Sequence, residues 1–262
     1  MSSDFEISDK WLKKLDRQTQ EIASRTGVDR KTLDEVFDRT TLLHLGNLIS
    51  HKIIDHFDFP ISAGKESIVF RAITPQNTMV AIKIYRTSNL SFKHIVKYIE
   101  GDPRFSLTNK TRRGIIEAWA KKEYKNLQRL NQASINAPKP IKNIQNILVM
   151  EYIGNGNQPA PLLKDITLKN PKKLYDTIID FIQRMYQQAE LIHADLSSYN
   201  ILLHKEKPYI IDVGQAVILE HPQALSYLKR DIYNIAQFFK KYDIHTDENK
   251  LYTQITTSGD KA

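Results

Sequence analysis

The side chains best suited to chemistry lie between His193 and Gln215, in the run H-A-D-L-S-S-Y-N-I-L-L-H-K-E-K-P-Y-I-I-D-V-G-Q. Asp195 comes first, Asn200 five residues later and Asp212 twelve after that. Two apolar runs, Ile201-Leu202-Leu203 and Tyr209-Ile210-Ile211, are separated by Pro208 and the charged turn Lys205-Glu206-Lys207. They predict a hairpin of two short strands. Such a hairpin brings Asn200 and Asp212 to one end, where a carboxylate beside an amide oxygen makes a hard-oxygen site suited to Mg²⁺. Asp195, on the loop entering the hairpin, is placed to accept a proton from an attacking hydroxyl. The rival explanation is a core hairpin with solvated turn acids. The spacing of three residues, together with a partner motif upstream, weighs against it.

That upstream partner is Lys83, which interrupts the apolar run Met79-Val80-Ala81-Ile82-Lys83-Ile84-Tyr85. The run reads as a strand paired with Ile68-Val69-Phe70-Arg71-Ala72 across a Thr74-Pro75-Gln76-Asn77 turn. A lysine there either points outward from an edge or has a task, and V-A-I-K after a hairpin loop favours holding α- and β-phosphates. The small-residue turn Ile61–Ser67 precedes it. Gly64-Lys65 is no Walker loop, because position 59 is Phe where that motif needs glycine. The turn's amides and Ser62 could instead cover phosphate oxygens.

A helix predicted from about Gly114 to Asn131 carries Ile115, Ile116, Trp119, Leu127 and Leu130 on its apolar face. Glu123, four residues after Trp119, lies on or near that face. A partly buried Glu needs a cation, and Lys83 is the candidate. The alternative is an exposed Glu among Lys121, Lys122 and Lys125. Ile147–Gly154 is a buried strand ending at glycine, whose last backbone groups could face an adenine.

The other elements follow from periodicity. Residues 1–57 suggest three helices: one around Trp11, Leu12, Leu15 and Ile22, one around Leu33, Val36 and Phe37, and one capped by Thr40 or Thr41. A DNA-reading helix pair would need a basic recognition face, which these lack. Residues 86–113 are polar and basic and are expected to be a mobile loop with a turn or two of helix around Phe92–Ile99. Their hydroxyls, at Ser88, Ser91, Ser106, Thr108 and Thr111, are candidate phosphorylation sites. Further helices are expected from Asn170 to Glu190 (Leu174, Ile178, Phe181, Ile182, Met185) and from Pro222 to about Tyr242 (Leu225, Leu228, Ile232, Ile235, Phe238, Phe239). A frayed polar tail follows.

Composition bounds the rest. The 262 residues contain no cysteine and carry a formal charge of +8. Disulfides, thiolate metal sites and cysteine nucleophiles are therefore excluded, which suits a reducing, cytoplasmic setting. No apolar run is long enough for a membrane span. Met1-Ser2-Ser3-Asp4-Phe5 has none of the features of a signal peptide. The basic surface favours polyanions such as nucleotides or RNA, although no RNA-binding signature is visible.

These motifs together resemble a protein kinase and, more narrowly, a RIO-family atypical kinase of the type-1 branch. The resemblance rests on S-A-G-K-E-S at 62–67, A-I-K-I-Y at 81–85, W-A-K-K-E-Y-K-N-L at 119–127 and M-E-Y-I-G at 150–154. It continues in A-P-L-L-K-D at 160–165, H-A-D-L-S-S-Y-N at 193–200, I-I-D-V-G-Q at 210–215 and K-R-D-I-Y-N-I-A-Q-F-F at 229–239. Ala63 and Ser67 depart from the loop, where Thr and Ala are expected. The resemblance implies an α+β, two-lobed kinase-like fold, with helices over 1–57, an N-lobe over 58–153 and a C-lobe over 154–262.

It also implies roles for single residues. Asp195 is the catalytic acid–base residue, and Asn200 and Asp212 bind Mg²⁺ or Mn²⁺. Lys83 holds phosphates and pairs with Glu123, Ser62 contacts phosphate, and Glu151 and Ile153 offer backbone groups to the adenine of ATP. A phosphorylated aspartate is implied at Asp212. The implied work is ATP-dependent serine/threonine phosphorylation and ATP hydrolysis during maturation of the small ribosomal subunit, with its protein and rRNA as partners and without DNA. Only seven residues separate Gly214 from Pro222, and no Ala-Pro-Glu closes an activation segment. Alternatives are a nucleotide-switched assembly factor and a small-molecule phosphotransferase, though the chain after Asp212 is short for an acceptor-binding lobe.

Overall fold

A computed structural model describes residues 36–87, 92–105 and 111–257. The helices expected around Trp11 and Leu33 lie outside these residues, except for Val36, which ends a helix, and Phe37, a bend just after it. Contacts divide the chain into two units. Among the described residues one holds 36–87, 92, 111–121 and 140–152, and the other holds 93–105, 122–139 and 153–257.

The first unit is built on a five-stranded antiparallel sheet in the order β1-β2-β3-β5-β4. Its strands are β1 (His56–Ala63), β2 (Ser67–Ile73), β3 (Met79–Tyr85), β4 (Pro140–Ile144) and β5 (Ile147–Glu151). Side chains alternate across a strand, so Val80, Ile82 and Ile84 enter one buried cluster with Ile68, Phe70, Ala72, Ile147 and Val149. Helix α1 (Arg39–Ser50) closes that cluster with Leu45 and Leu48. Its cap is Asp38, whose carboxylate accepts from the Thr41 amide at 2.7 Å, and neither Thr40 nor Thr41 takes that place. Thr41 is buried and bonded to Asn146 in the β4–β5 turn. Ile61, Ser62 and Ala63 belong to β1, so the turn expected over 61–67 shrinks to Gly64–Glu66.

The second unit is mostly helical. Helix α3 (Arg112–Gln132) enters it at Lys122, its earlier residues belonging to the first unit. Helix α4 (Pro171–Gln187) is capped by Asn170 and buries the five predicted apolar residues, from Leu174 to Met185. Helix α5 (Ala224–Lys240) buries Tyr227, Leu228, Ile232, Ile235 and Phe239. Leu225, expected in this stripe, is 49% exposed because Ala224 and Tyr227 occupy the inner face. Three short pairings shape the loops: β6 (Gly154–Asn155) with β7 (Gln158–Pro159), β8 (Leu191–Ile192) with β11 (Val217–Ile218), and the hairpin of β9 (Ile201–His204) with β10 (Lys207–Ile210). Pro208 sits inside β10 opposite Leu203. The turn is Lys205-Glu206, both residues with positive φ. A turn of that backbone matches strand twist.

One expectation is corrected here. The polar tail contains helix α6 (Glu248–Thr257), with Leu251 and Ile255 buried and Gln187 donating to the Ile255 carbonyl at 3.0 Å. Residues 93–105 of the stretch expected to be a mobile loop belong to the second unit. Helix α2 (Phe92–Ile99) buries Ile95, Tyr98 and Ile99, and Tyr98 stacks on Tyr227. The turn or two of helix expected around Phe92–Ile99 is this helix.

Candidate active site

In the second unit β8 and β11 run antiparallel with Ile192 opposite Val217. The loop leaving β8, which carries Asp195, therefore lies beside the segment that follows Asp212. The hairpin adds a second tie: Ile201 pairs with Ile210, and the Ile211 amide donates to the Asn200 carbonyl at 3.0 Å. Asn200 and Asp212 thus stand at one end of the hairpin, as its spacing predicts. Asn200 Nδ2 donates to the Asp195 carbonyl at 2.8 Å, and His193 Nε2–H donates to the Ile211 carbonyl at 3.1 Å. Asp195 and Asn200 are half-buried and Asp212 is exposed.

Asp231 on α5 holds the same loop from below. Its two oxygens accept from the amides of Ala194 and Leu196, each at 2.8 Å. Arg230 donates to the Ala194 carbonyl, and Asn234 Nδ2 donates to the Leu196 carbonyl at 3.1 Å. Ala194 has φ 65°, a left-handed backbone in an L-residue, which persists only where its surroundings over-determine it. Burial pushes the Asp231 carboxyl up to about 6, opposed by the His193 charge and by the two amides.

Lys122 and Asn126, both fully buried on α3, reach the other loop. Lys122 Nζ donates to the carbonyls of Gly214, at 3.0 Å, and Ala216, while Asn126 Nδ2 donates to that of Val213 at 2.8 Å. The alternative of an exposed Glu123 among Lys121, Lys122 and Lys125 does not hold, since Glu123 and Lys122 are both buried. Burial pushes its ammonium down to about 7, Asp102 opposing and Arg104 adding to the shift.

The remaining predicted residues divide between the units. In the first, Lys83 is buried between Val69 and Leu148 on neighbouring strands. Alternation puts it on the sheet face opposite Ile82 and Ile84. Its ammonium lies 5.2 Å from the centroid of the Tyr85 ring. Ser62 is exposed opposite Val69 on β2, and Glu151 ends β5 opposite Val80. The Gly64 amide closes its hairpin on the Ser67 carbonyl at 2.9 Å, so it is committed within the turn. In the second unit Glu123 is buried. The Ile153 carbonyl accepts from the Ala160 amide at 2.9 Å, which leaves the Ile153 amide as its group to offer a ligand.

Sequence reasoning missed Asp231, Lys122 and Asn126 as site residues. Each had a signal. Asp231 falls on the Leu228–Ile232–Ile235 stripe, and Lys122 and Asn126 fall three and seven residues after Trp119, all at helical spacing.

A family model described as "RIO domain" matches residues 68–251. The chain belongs to the RIO family. The RIO-type serine/threonine-protein kinase Rio1 of Methanocaldococcus jannaschii is 40% identical over 254 residues, 95% of this chain and 87% of that protein. Rio1 of Thermoplasma acidophilum is 48% identical over 184 residues, 70% of this chain and 96% of the relative. Human serine/threonine-protein kinase RIO1 is 42% identical over 220 residues, 82% of this chain but 39% of the human protein. A Rio2 kinase from Chaetomium thermophilum, solved as an ADP/Mg²⁺-phosphoaspartate complex, shares the fold. Its TM-score is 0.66 at 23% identity, over 84% of this chain and 67% of that one. RIO membership makes the chain a serine/threonine-protein kinase with ATP as its phosphate donor. No helix among the described residues is long and apolar enough to cross a membrane.

Proposed function

We propose that this RIO kinase phosphorylates serine and threonine hydroxyls, its own included, hydrolyses ATP, and acts in maturation of the small ribosomal subunit. The observation that carries the site assignment is the set of ties joining Asp195, Asn200 and the residues next to Asp212. Asp195 takes the acceptor's proton as the new bond to phosphorus forms. Asn200 and Asp212 hold Mg²⁺ or Mn²⁺. The chemistry of the donors fits: Asn200 Nδ2 is committed to the Asp195 carbonyl, which leaves the amide oxygen to ligate beside a carboxylate. Among the described residues no three His, Cys, Asp or Glu side chains cluster to hold a metal unaided. That suits an ion which takes one or two protein oxygens and completes its shell with phosphates and water. Such an ion, when bound, neutralises charge on the phosphates.

By the family resemblance, Lys83 holds the α- and β-phosphates and pairs with Glu123. Ser62 contacts phosphate, the Glu151 carbonyl and the Ile153 amide address adenine, and the ribosomal role follows the family resemblance and the +8 charge.

One feature favours ATP turnover as the working activity. After the Val213–Gln215 turn the chain makes only β11 before reaching α5. This leaves little backbone to hold a peptide acceptor. The phosphoryl group could instead pass to Asp212: the bond between the γ-phosphorus and the ADP oxygen breaks, a carboxylate oxygen takes the phosphorus, and water activated by Asp195 later releases phosphate. Rapid-quench labelling with γ-labelled ATP tests this. Asp212→Asn should weaken metal-dependent ATP binding and abolish any hydroxylamine-sensitive label. Asp195→Asn should keep ATP bound and accumulate that label. Equal metal-dependent affinity with no difference in label would reject both roles. Stimulation of turnover by pre-ribosomal particles tests the assembly role, and an unchanged rate argues against it.

A further inference from the structure

Lys122 and Asn126 are one helical turn apart, so they share a face of α3. Between them they hold three carbonyls in and just after the turn that follows Asp212. Lys122 takes Gly214 and Ala216, and Asn126 takes Val213 at 2.8 Å and Ala216 at 3.2 Å. Asp212 itself, with φ 60° and ψ 51°, opens that turn in the left-handed region. An L-residue is strained there and stays only if its surroundings leave no alternative.

A second layer fixes the donors. Arg104 donates to Asn126 Oδ1 at 3.1 Å, which turns Nδ2 toward the carbonyls. Arg104 is in turn forked onto the buried Asp102, Nε to Oδ1 at 2.8 Å and a terminal nitrogen to Oδ2 at 2.6 Å. The whole set belongs to the second unit.

A fully buried ammonium is a poor way to stabilise a fold, since an apolar side chain of similar volume is often as good or better. What methionine or leucine cannot do is grip carbonyls. We infer that Lys122 and Asn126 are positioning residues for Asp212: by holding the carbonyls that follow it, they aim its carboxylate at the metal-bound phosphates. The inference rests on the metal-binding reading of Asp212.

The test compares the parent with Lys122→Met, Asp212→Asn and the double variant. Three quantities are measured: thermal unfolding, amide exchange over 213–217 in the nucleotide-free protein, and ATP affinity in Mg²⁺ and in EDTA. Lys122→Met should stay folded while its 213–217 amides exchange faster. Outer-layer partners of metal ligands typically tune affinity by about 10- to 100-fold. The gain in ATP affinity conferred by Mg²⁺ should fall within that range, with affinity in EDTA unchanged. In the Asp212→Asn background Lys122→Met should add no further loss. If Asp212→Asn loses the Mg²⁺ gain and Lys122→Met keeps it, or if the two losses add in full, the positioning role is overturned while the reading of Asp212 stands. If Asp212→Asn keeps the gain, that reading fails and takes the inference with it. Should Lys122→Met not fold, Asn126→Ala supplies the same comparison. Loss of fold in both assigns the pair to structure and also overturns the inference.

Discussion

At the residue scale, Asp231 holds the two amides that flank Asp195. Its ionised carboxylate gives each of two loop amides an oxygen. Protonation puts an O–H on one of them. With its carboxyl pushed up to about 6 by burial, the loop should lose its geometry as pH falls through that value. Phosphoryl transfer by the parent should therefore decline on the acid side of about 6. Asp231→Asn should be slower by on the order of 10²-fold, the scale of a slightly misplaced catalytic group, and should lack that acid limb. Initial rates from pH 5 to pH 8 decide it (range chosen to span the ordinary histidine and shifted carboxyl values). Stability runs the other way. The unfolded carboxyl, near 3.8, ionises first, so between about 4 and 6 the folded chain binds the extra proton, and this group's contribution falls as pH rises. An Asp231→Asn variant that keeps the parent's acid limb would assign the limb to another group.

At the scale of elements, the tail makes the clearest case. Glu248–Thr257 is mostly polar, yet Leu251 and Ile255, one turn apart, turn inward and the Ile255 carbonyl accepts from Gln187 on α4. Asp247 caps the helix, accepting from the Lys250 amide at 3.0 Å. Ile255 is fully buried, so Ile255→Ala should cost about 2–5 kcal/mol of unfolding free energy. Denaturant unfolding measures this, and a change near zero would mean the helix is an appendage. The Gly101 backbone makes a similar point. A Cβ there would lie 2.3 Å from the His221 ring. That ring is pinned on both sides, by the Lys97 carbonyl at 3.2 Å and the Gln223 amide at 3.1 Å. Gly101→Ala should therefore loosen α2 from the start of α5, at a cost of about 1–3 kcal/mol. Faster amide exchange at 95–99 is the expected sign.

At the scale of the whole chain, the question is where phosphate goes when no other acceptor is present. Residues 86–113 combine hydroxyls with a basic sequence, and a phosphate there would find cations to pair with. Ser88, Ser91, Ser106 and Thr108 lie outside the described residues. Thr111 accepts from the Gly114 amide at 3.2 Å at the start of α3. Mass spectrometry after incubation with ATP should find phosphate within 88–111. Phosphate found only elsewhere would reject this stretch as the site of self-modification.

The sequence alone determined the elements with a plain apolar signature. Met79–Tyr85 is a continuous apolar run broken only by Lys83 and is buried from Val80 to Tyr85, as a strand covered on both faces should be, while α4 repeats its apolar residues at helical spacing because one face meets the core. The hairpin was legible from its two apolar runs and the charged turn between them. Tertiary structure alone decided which polar residues on those faces turn inward and what they grip. Helical spacing sets Lys122 on the Trp119 face and Lys121 off it, but periodicity names a face and cannot name a partner. Its partners are backbone carbonyls 92 and 94 residues away, and carbonyls are common to every residue type. Asp231 was hidden in the same way. Its ligands are two amides of a loop whose left-handed backbone at Ala194 exists only once the carboxylate is there to hold it.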